Sequence, residues 1–275
     1  MSNSRPWPEV LDLVSSKIGK SRDLVQGPGG NTSWKSDGVM WVKASGTRLA
    51  NALEEKIFCK VFTDKPNLQL DIDGLRPSIE TSLHSVRKET YVIHVHSVGA
   101  MSLGFRKTLN NEAMNLLERF SLGIIDYFRP GLELSSALQS VIGNKEGLRG
   151  ALLRNHGLVL WGEDLENLYE TLLNFEKELS MMFPADIERL NKISSHSLEQ
   201  YINHQYLTPD HAVFGPSMTK LSKLDNTSWL NDLKYAIEKA VSCVESVEIM
   251  NFISHDEVHE LQNWESEKLR QGMNR

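Results

Sequence analysis

His94 and His96 stand two apart in the run YVIHVHS, residues 91–97. Tyr91, Val92, Ile93 and Val95 favour a strand. Side chains alternate along a strand, so both imidazoles leave the same face of a sheet. Two neutral imidazoles on a rigid strand are a start for a divalent metal site. A blander reading puts one ring in the core and lets the other cap a loop, and for an isolated HxH that is the better bet. A third histidine alters the balance. In ALLRNHGLVLW, residues 151–161, Asn155-His156-Gly157 interrupts two apolar runs. A tight turn or bulge there swings His156 toward the other two. Three protein ligands with open positions are the pattern of catalytic rather than structural Zn2+. Glu80, in GLRPSIETSLH (74–84), lies in the first turn of an expected helix with Ser78 as its N-cap. Its plain role is favourable interaction with the helix dipole, and its chemical role is a carboxylate held near the metal.

Two segments could cradle an anion. QGPGGNTSWKSDG, residues 26–38, is too rich in glycine for a strand interior and reads as a loop. Its backbone N–H groups and small side chains suit close approach to phosphate, although alone it is more simply a turn before a hairpin. Ser45-Gly46-Thr47 is a second cluster of hydroxyl and backbone donors. The strand between them, VMWVKAS (39–45), follows a Ser-Asp-Gly turn. A hairpin brings its flanks together, so the two clusters mean more jointly than singly.

Composition bounds the partners. The 275 residues carry a formal net charge of -6 and contain no basic block, which argues against nucleic acid. A small anionic substrate needs only a local pocket. Hydrophobic content of 40% and charged content of 24% are ordinary for a globular protein. Cys59 and Cys243 have no metal-type spacing, and a reducing compartment is the default. The sequence contains no apolar run near the roughly 18 residues of a membrane span and no signal-type N-terminal core. The expectation is a soluble cytoplasmic protein.

Other elements must position these groups. Helices are expected over Trp7–Ile18, residues 81–90, Asn111–Phe120, Glu133–Ile142, Glu163–Met182, Trp229–Val247 and Asp256–Arg270. Gly123–Tyr127 reads as a short strand and LTPDHAVFGP (207–216) as a loop with His211 beside Asp210. Residues 54–73 give no clear pattern beyond a short helix or strand at Glu55–Val61. Strands and helices alternate without regular βαβ spacing, which suggests a mixed sheet layered with helices.

The ordered set GGNTS (29–33), KASGT (43–47), PSIE (77–80), HVHS (94–97), PG (130–131) and NHG (155–157) resembles the class II aldolase/adducin family, which includes fuculose-phosphate and rhamnulose-phosphate aldolases. The resemblance covers residues ~7–184. LTPDH (207–211) and NWESEKLR (263–270) are more loosely similar to the longer rhamnulose aldolase type. It implies a three-layer α/β/α fold with a central mixed, largely antiparallel sheet. It also implies an aldolase-like domain over 1–215, with a helical extension over 216–275 packed on it. By the same resemblance, His94, His96 and His156 are ligands of one Zn2+ or another divalent metal, and Glu80 is the catalytic acid/base. Gly30, Asn31, Thr32, Ser45, Gly46, Thr47 and Ser78 then bind the substrate phosphate. Ile79 replaces the second serine of the family's PSSE-type motif, so one phosphate donor is lost. A proton-donating tyrosine comes from a neighbouring subunit or the C-terminus in some members; Tyr127 and His211 are guesses for it.

The implied activity is cleavage or formation of a carbon–carbon bond in a phosphorylated ketose through a Zn-stabilised enediolate. The enzyme would be a homotetramer with active sites between subunits. Glu80 needs a raised pKa to work near neutral pH, which burial would supply and the metal would oppose. Related epimerases carry aspartate there, so glutamate favours cleavage. The alternatives are a dehydratase of the methylthioribulose-phosphate type or a decarboxylase on the same site, an iron oxygenase using the three histidines, and a non-catalytic adducin-like protein.

Overall fold

The structure is a computed structural model that describes residues 5–65, 74–144, 146–196, 198–218 and 229–264. The first half contains α1 (Glu9–Gly19), β1 (Asn31–Ser36), β2 (Val39–Lys43), β3 (Phe58–Phe62), α2 (Thr81–Ser85), β4 (Tyr91–Val95), α3 (Val98–Gly104), α4 (Asn111–Arg119) and β5 (Leu122–Ile125). The second half contains α5 (Leu132–Asn144), β6 (Gly150–Leu153), β7 (Gly157–Gly162), α6 (Leu165–Met182), α7 (Ile187–His196), α8 (Leu198–Tyr201), α9 (Pro209–Met218), α10 (Trp229–Ser242) and α11 (His255–Asn263).

The seven strands form one sheet in the order β3-β2-β1-β4-β7-β6-β5. Every neighbouring pair is antiparallel except β5 with β6. Alternation sorts the side chains as a period of two requires. Ile93 and Val95 of β4 join one core with Leu11, Val14 and Ile18 of α1 and with Leu172, Phe175 and Leu179 of α6. Val92 faces the other way, into a core with Leu83 of α2 and Leu134 and Leu138 of α5. The result is the expected α/β/α arrangement with a mixed, largely antiparallel sheet. Its helix at Leu165–Met182 presents the apolar stripe legible in its sequence.

A separate apolar cluster gathers the later helices. Ile193, Leu207, Val213, Phe214, Leu233, Ile237, Val241 and Leu261 pack there with Val98 and Met101 of α3 and with Phe105 just after it. Helix α3 therefore has one side on the sheet and the other on the C-terminal helices. Among the described residues, no helix is long and apolar enough to cross a membrane.

Three local expectations need correction. Residues 31–36 form β1, although the glycine-rich stretch around them reads as a loop; the glycines end at Gly30, and NTSWKS itself contains none. Asp37 and Gly38 then turn the chain with φ of 50° and 75°, the geometry of a tight hairpin turn. Residues 209–218 form α9 rather than a loop, with Pro209 in the first position, where its missing N–H is harmless. Helix α2 is a short Thr81–Ser85, and Ser78 does not cap it. The run 263–270 beyond Trp264, the ends of the helix expected at Asp256–Arg270 and residues 66–73 lie outside the described residues.

Helix α3 starts immediately after the histidine strand, and its position is fixed by α6. Glu176 accepts hydrogen bonds from Ser97 Oγ at 2.6 Å, Gly99 N at 2.9 Å and Ala100 N at 3.2 Å. Desolvation pushes this carboxyl up to about 7, against the effect of those hydrogen bonds. A carboxyl raised from 4.5 to about 7 binds more protons folded than unfolded between those values. Its stabilising contribution is therefore full below the lower value and is lost as pH rises through the upper one. Stability of the parent should fall between pH 5 and 7 with an added slope of at most about 1.4 kcal/mol per pH unit. Glu176→Gln should remove that slope; equal slopes in urea titrations of both proteins would contradict it.

Gly157 marks the tightest approach in the sheet. A Cβ built there would lie 2.1 Å from the Val95 carbonyl oxygen. Gly157→Ala should therefore cost about 2 kcal/mol or more, as backbone must move. A denaturation midpoint equal to the parent's would refute this.

Candidate metal and active site

β4 holds His94 at the middle of the sheet, between β1 and β7, and His96 follows one residue past its end. Each ring commits its outer nitrogen. His94 Nδ1 donates to the Leu158 carbonyl oxygen at 3.0 Å, and His96 Nδ1 faces Asp210 Oδ2 at 3.0 Å. Both rings therefore present Nε2 inward, and the two Nε2 atoms lie 3.1 Å apart. The turn between β6 and β7 brings in the third ring. Asn155 takes a φ of 56°, a conformation asparagine tolerates. Its Nδ2 donates to the carbonyl oxygens of Leu207 at 3.0 Å and Asn251 at 2.9 Å. Asn251 Nδ2 returns a bond to Asn155 Oδ1 at 3.0 Å. So anchored, the turn aims His156 Nε2 at Glu80 Oε1, 3.0 Å away. The same oxygen lies 3.3 Å from His94 Nε2.

Glu80 precedes α2 and makes no side-chain cap with it, so its carboxylate is not spent on the helix end. Glu80, His94, His96 and His156 are all buried, and one ligand atom from each lies within 4.8 Å of all the others. This donor set fits a divalent cation. With both rings neutral, the Nδ1 protons of His94 and His96 go to Leu158 and Asp210, so the facing Nε2 atoms meet as lone pairs. Lone pairs at that spacing repel in a buried site, and a metal ion turns the repulsion into attraction.

A chain of bonds sets Glu80. Its Oε2 accepts from Asn31 Nδ2 at 2.9 Å. Asn31 Oδ1 accepts in turn from His84 Nε2, and His84 Nδ1 lies 2.7 Å from Ser33 Oγ. A neutral His84 with its proton on Nε2 satisfies every partner. Burial, with Lys35 and His94 adding to it, holds its pKa well below the usual value. The carboxyl of Glu80 departs from the sequence expectation of a raised pKa. Burial does push it up, but His94 and His156 outweigh burial and hold it well below the usual carboxylate range. Burial would lower His94, yet the Glu80 carboxylate keeps it above its ordinary value. His156 is pushed down to about 4, chiefly by burial.

The two glycine loops meet beside this group. Lys43 Nζ donates to the Pro28 carbonyl at 2.8 Å and to the Thr47 carbonyl at 2.9 Å, tying one loop to the other. Ser45 N donates to the Arg76 carbonyl at 2.7 Å, and Ser78 N to the Lys43 carbonyl at 3.3 Å. Gly30 and Gly46 have φ of 63° and 78°, where a side chain would be strained. Gly30, Asn31 and Ser78 thus adjoin Glu80, while Ser45, Gly46 and Thr47 form the neighbouring loop. Thr47 Oγ1 donates to the Ala44 carbonyl at 2.8 Å. The Thr32 hydroxyl points the other way, 2.7 Å from Ser15 Oγ in α1 and fully buried. Tyr127 packs against the C-terminal cluster, and burial raises its phenol pKa. His211 packs edge-to-face against Tyr206 and is pushed down to about 3 by burial.

Sequence reasoning did not single out His84 or Asp210, and gave Asn155 only as part of the turn that carries His156. His84 had a signal, because four residues after Glu80 is the spacing of one helix face. Asp210 was visible only as the neighbour of His211.

Residues 14–183 match the family of the class II aldolase and adducin N-terminal domain. The chain belongs to that family. It is 28% identical over 284 residues to an uncharacterized oxidoreductase, YuxG, of Bacillus subtilis; the match covers 93% of this chain but only 38% of that protein. A methylthioribulose-1-phosphate dehydratase of Komagataella phaffii is 23% identical, over 66% of this chain and 85% of the relative. An L-fuculose phosphate aldolase of Methanocaldococcus jannaschii is 28% identical, over 54% of this chain and 80% of the relative. In fold, the N-terminal class II aldolase domain of a Thermoplasma acidophilum protein superposes with a TM-score of 0.53 at 23% identity. That likeness covers 66% of this chain and 97% of the other.

His94→Ala and His156→Ala should each lose bound metal in protein purified under zinc-replete conditions. Elemental analysis checks this, and a normal metal content in both variants would remove the site.

Proposed function

We propose that the chain is a metal-dependent aldolase that cleaves or forms a carbon–carbon bond in a phosphorylated ketose. One observation carries this reading: a buried carboxylate oxygen and three imidazole nitrogens converge beside two loops that Lys43 ties together. His94, His96 and His156 would hold the metal, with Zn2+ the ion best suited to three imidazoles. When bound, it supplies Lewis-acid polarisation of a substrate carbonyl oxygen.

The chain's own residues do the rest. Asn31 pins Glu80 Oε2, which leaves Oε1 as the atom that takes and returns a proton at the carbon beside the substrate carbonyl. His84 and Ser33 hold Asn31 in the orientation that this requires. The loops at residues 29–31 and 45–47 would receive the phosphate, with Ser78 at their edge. Thr32 would contribute there through its backbone, since its hydroxyl is turned to Ser15. Ile79 in place of a hydroxyl leaves one donor fewer for the phosphate. We further propose a cytoplasmic homotetramer.

The second reading is a sugar-phosphate dehydratase. It is favoured by the similarity to the methylthioribulose-1-phosphate dehydratase. Dehydration would use the same carboxylate oxygen but expel water instead of breaking the carbon chain.

A panel of phosphorylated ketoses incubated with zinc-loaded protein separates the two. Two carbonyl fragments identify the aldolase, and a single product lighter by one water identifies the dehydratase. Glu80→Gln should keep the metal and lose at least about 100-fold in turnover, the scale of a general acid–base contribution. Near-normal turnover in that variant would rule out Glu80 as the proton carrier.

A further inference from the structure

We propose that Asp210 is a positioning residue of the metal site, supplied by the C-terminal helices rather than by the aldolase-family region. The inference rests on the metal reading above and adds a residue to it. Asp210 lies in α9, twenty-seven residues past the end of the family match at 183. Its Oδ2 lies 3.0 Å from His96 Nδ1, and both side chains are buried.

Chemistry makes this contact more than a buried pair. An imidazole can ligate through Nε2 only if its proton sits on Nδ1. A carboxylate at Nδ1 accepts that proton and selects that tautomer. Were the proton on Nε2 instead, it would point at His94 Nε2, 3.1 Å away, and close the site. The carboxylate also makes the ring a stronger donor than a carbonyl partner would. His94 has the weaker kind of partner, the Leu158 carbonyl. His96 is therefore the ring whose ligand strength depends on a charged group.

The surroundings are shaped to admit the pair. Gly29 is the first glycine of the GGNTS run, where the sequence suggests an anion loop. A Cβ there would lie 3.1 Å from His96 Nδ1 and 3.4 Å from Asp210 Oδ2. The absence of a side chain makes room for the carboxylate to reach the ring. Gln26, from the same loop, donates to the His96 carbonyl at 3.3 Å and to the Arg22 carbonyl at 2.8 Å. The helix start contributes too: Asp210 is the second residue of α9, where the dipole favours a negative side chain. A plain dipole role would leave the carboxylate facing its own helix, whereas here it faces the imidazole. The same C-terminal part also holds the His156 turn, through the Leu207 and Asn251 carbonyls that Asn155 bonds. Two of the three ring positions thus depend on residues beyond the family match.

The test measures metal affinity and geometry on full-length protein. Zn2+ dissociation constants come from chelator competition, and Co2+-loaded protein reports ligand geometry in its visible absorption. Asp210→Ala should weaken Zn2+ binding by about 10–100-fold, the usual cost of removing such a partner. Asp210→Asn keeps the shape and an acceptor oxygen but loses the charge, so it should fall between parent and Asp210→Ala. Both variants should change the Co2+ band intensity. If Asp210→Ala fails to fold by circular dichroism, Asp210→Asn carries the test alone. Zn2+ affinity within about twofold of the parent, with an unchanged Co2+ spectrum, would overturn the inference while leaving the metal site standing. A parent that binds neither ion would overturn the metal reading and this inference with it.

Discussion

Ring nitrogens of three buried imidazoles and a carboxylate oxygen converge across a few ångströms. Such an arrangement is costly unless a cation occupies the middle, and the rest of the fold can be understood as what holds it in place. β4 sits fourth of seven strands, so both its edges are paired and its backbone cannot yield. β7 approaches it so closely at Gly157 that no side chain fits. The β6–β7 turn is bolted through Asn155 to two carbonyls of the later chain. Glu80 is fixed from below by the Ser33–His84–Asn31 relay. The four groups thus come from three stretches of chain, and each is restrained by something other than its neighbours in the cluster.

The histidines were legible in the sequence because strand alternation is a local rule. A spacing of two in a run of strand formers puts His94 and His96 on one face whatever else the chain does. The turn at Asn155-His156-Gly157 was legible for a similar reason, since asparagine and glycine between apolar runs mark a reversal. Glu80 was found, but its electrostatics were not. A raised pKa follows from burial alone, whereas the lowering comes from two rings supplied from elsewhere in the chain. β1 escaped notice because glycines preceding a strand were counted as part of it. α9 escaped because prolines at 209 and 216 read as breakers, while the first of them sits where a helix accepts one.

The glycine loops show why a residue type can be placed correctly and its purpose misjudged. Gly29 reads as an anion contact in the sequence, yet a side chain there would meet the Gln26 carbonyl, an imidazole and a carboxylate. Thr32 reads as a phosphate donor, yet alternation along β1 turns its hydroxyl to α1 while Asn31 faces the cluster. Lys43 invites the same reading, but its ammonium group joins two loop carbonyls 2.8 and 2.9 Å away. A cation spent on carbonyls stiffens the loops, and the backbone donors around Gly30 and Gly46 are then held in place by it.

The division of labour between sheet and C-terminal helices bears on how one family can host different reactions. The sheet region carries the three histidines and Glu80, the groups on which both proposed reactions would draw. Which bond breaks depends on what surrounds the far end of the substrate, and on how strongly the ligand rings donate. Here the later helices reach the centre by two routes, Asp210 to His96 and Leu207 with Asn251 to Asn155. Helix α3 couples the same helices to the sheet, since its residues pack in both cores and its start is held by Glu176 directly behind the histidine strand. Changes in the C-terminal helices would therefore be felt at the ring nitrogens without any change in the ligands themselves. In a fold of this kind, identity of the metal-binding residues fixes the class of chemistry, and the packing behind them tunes it.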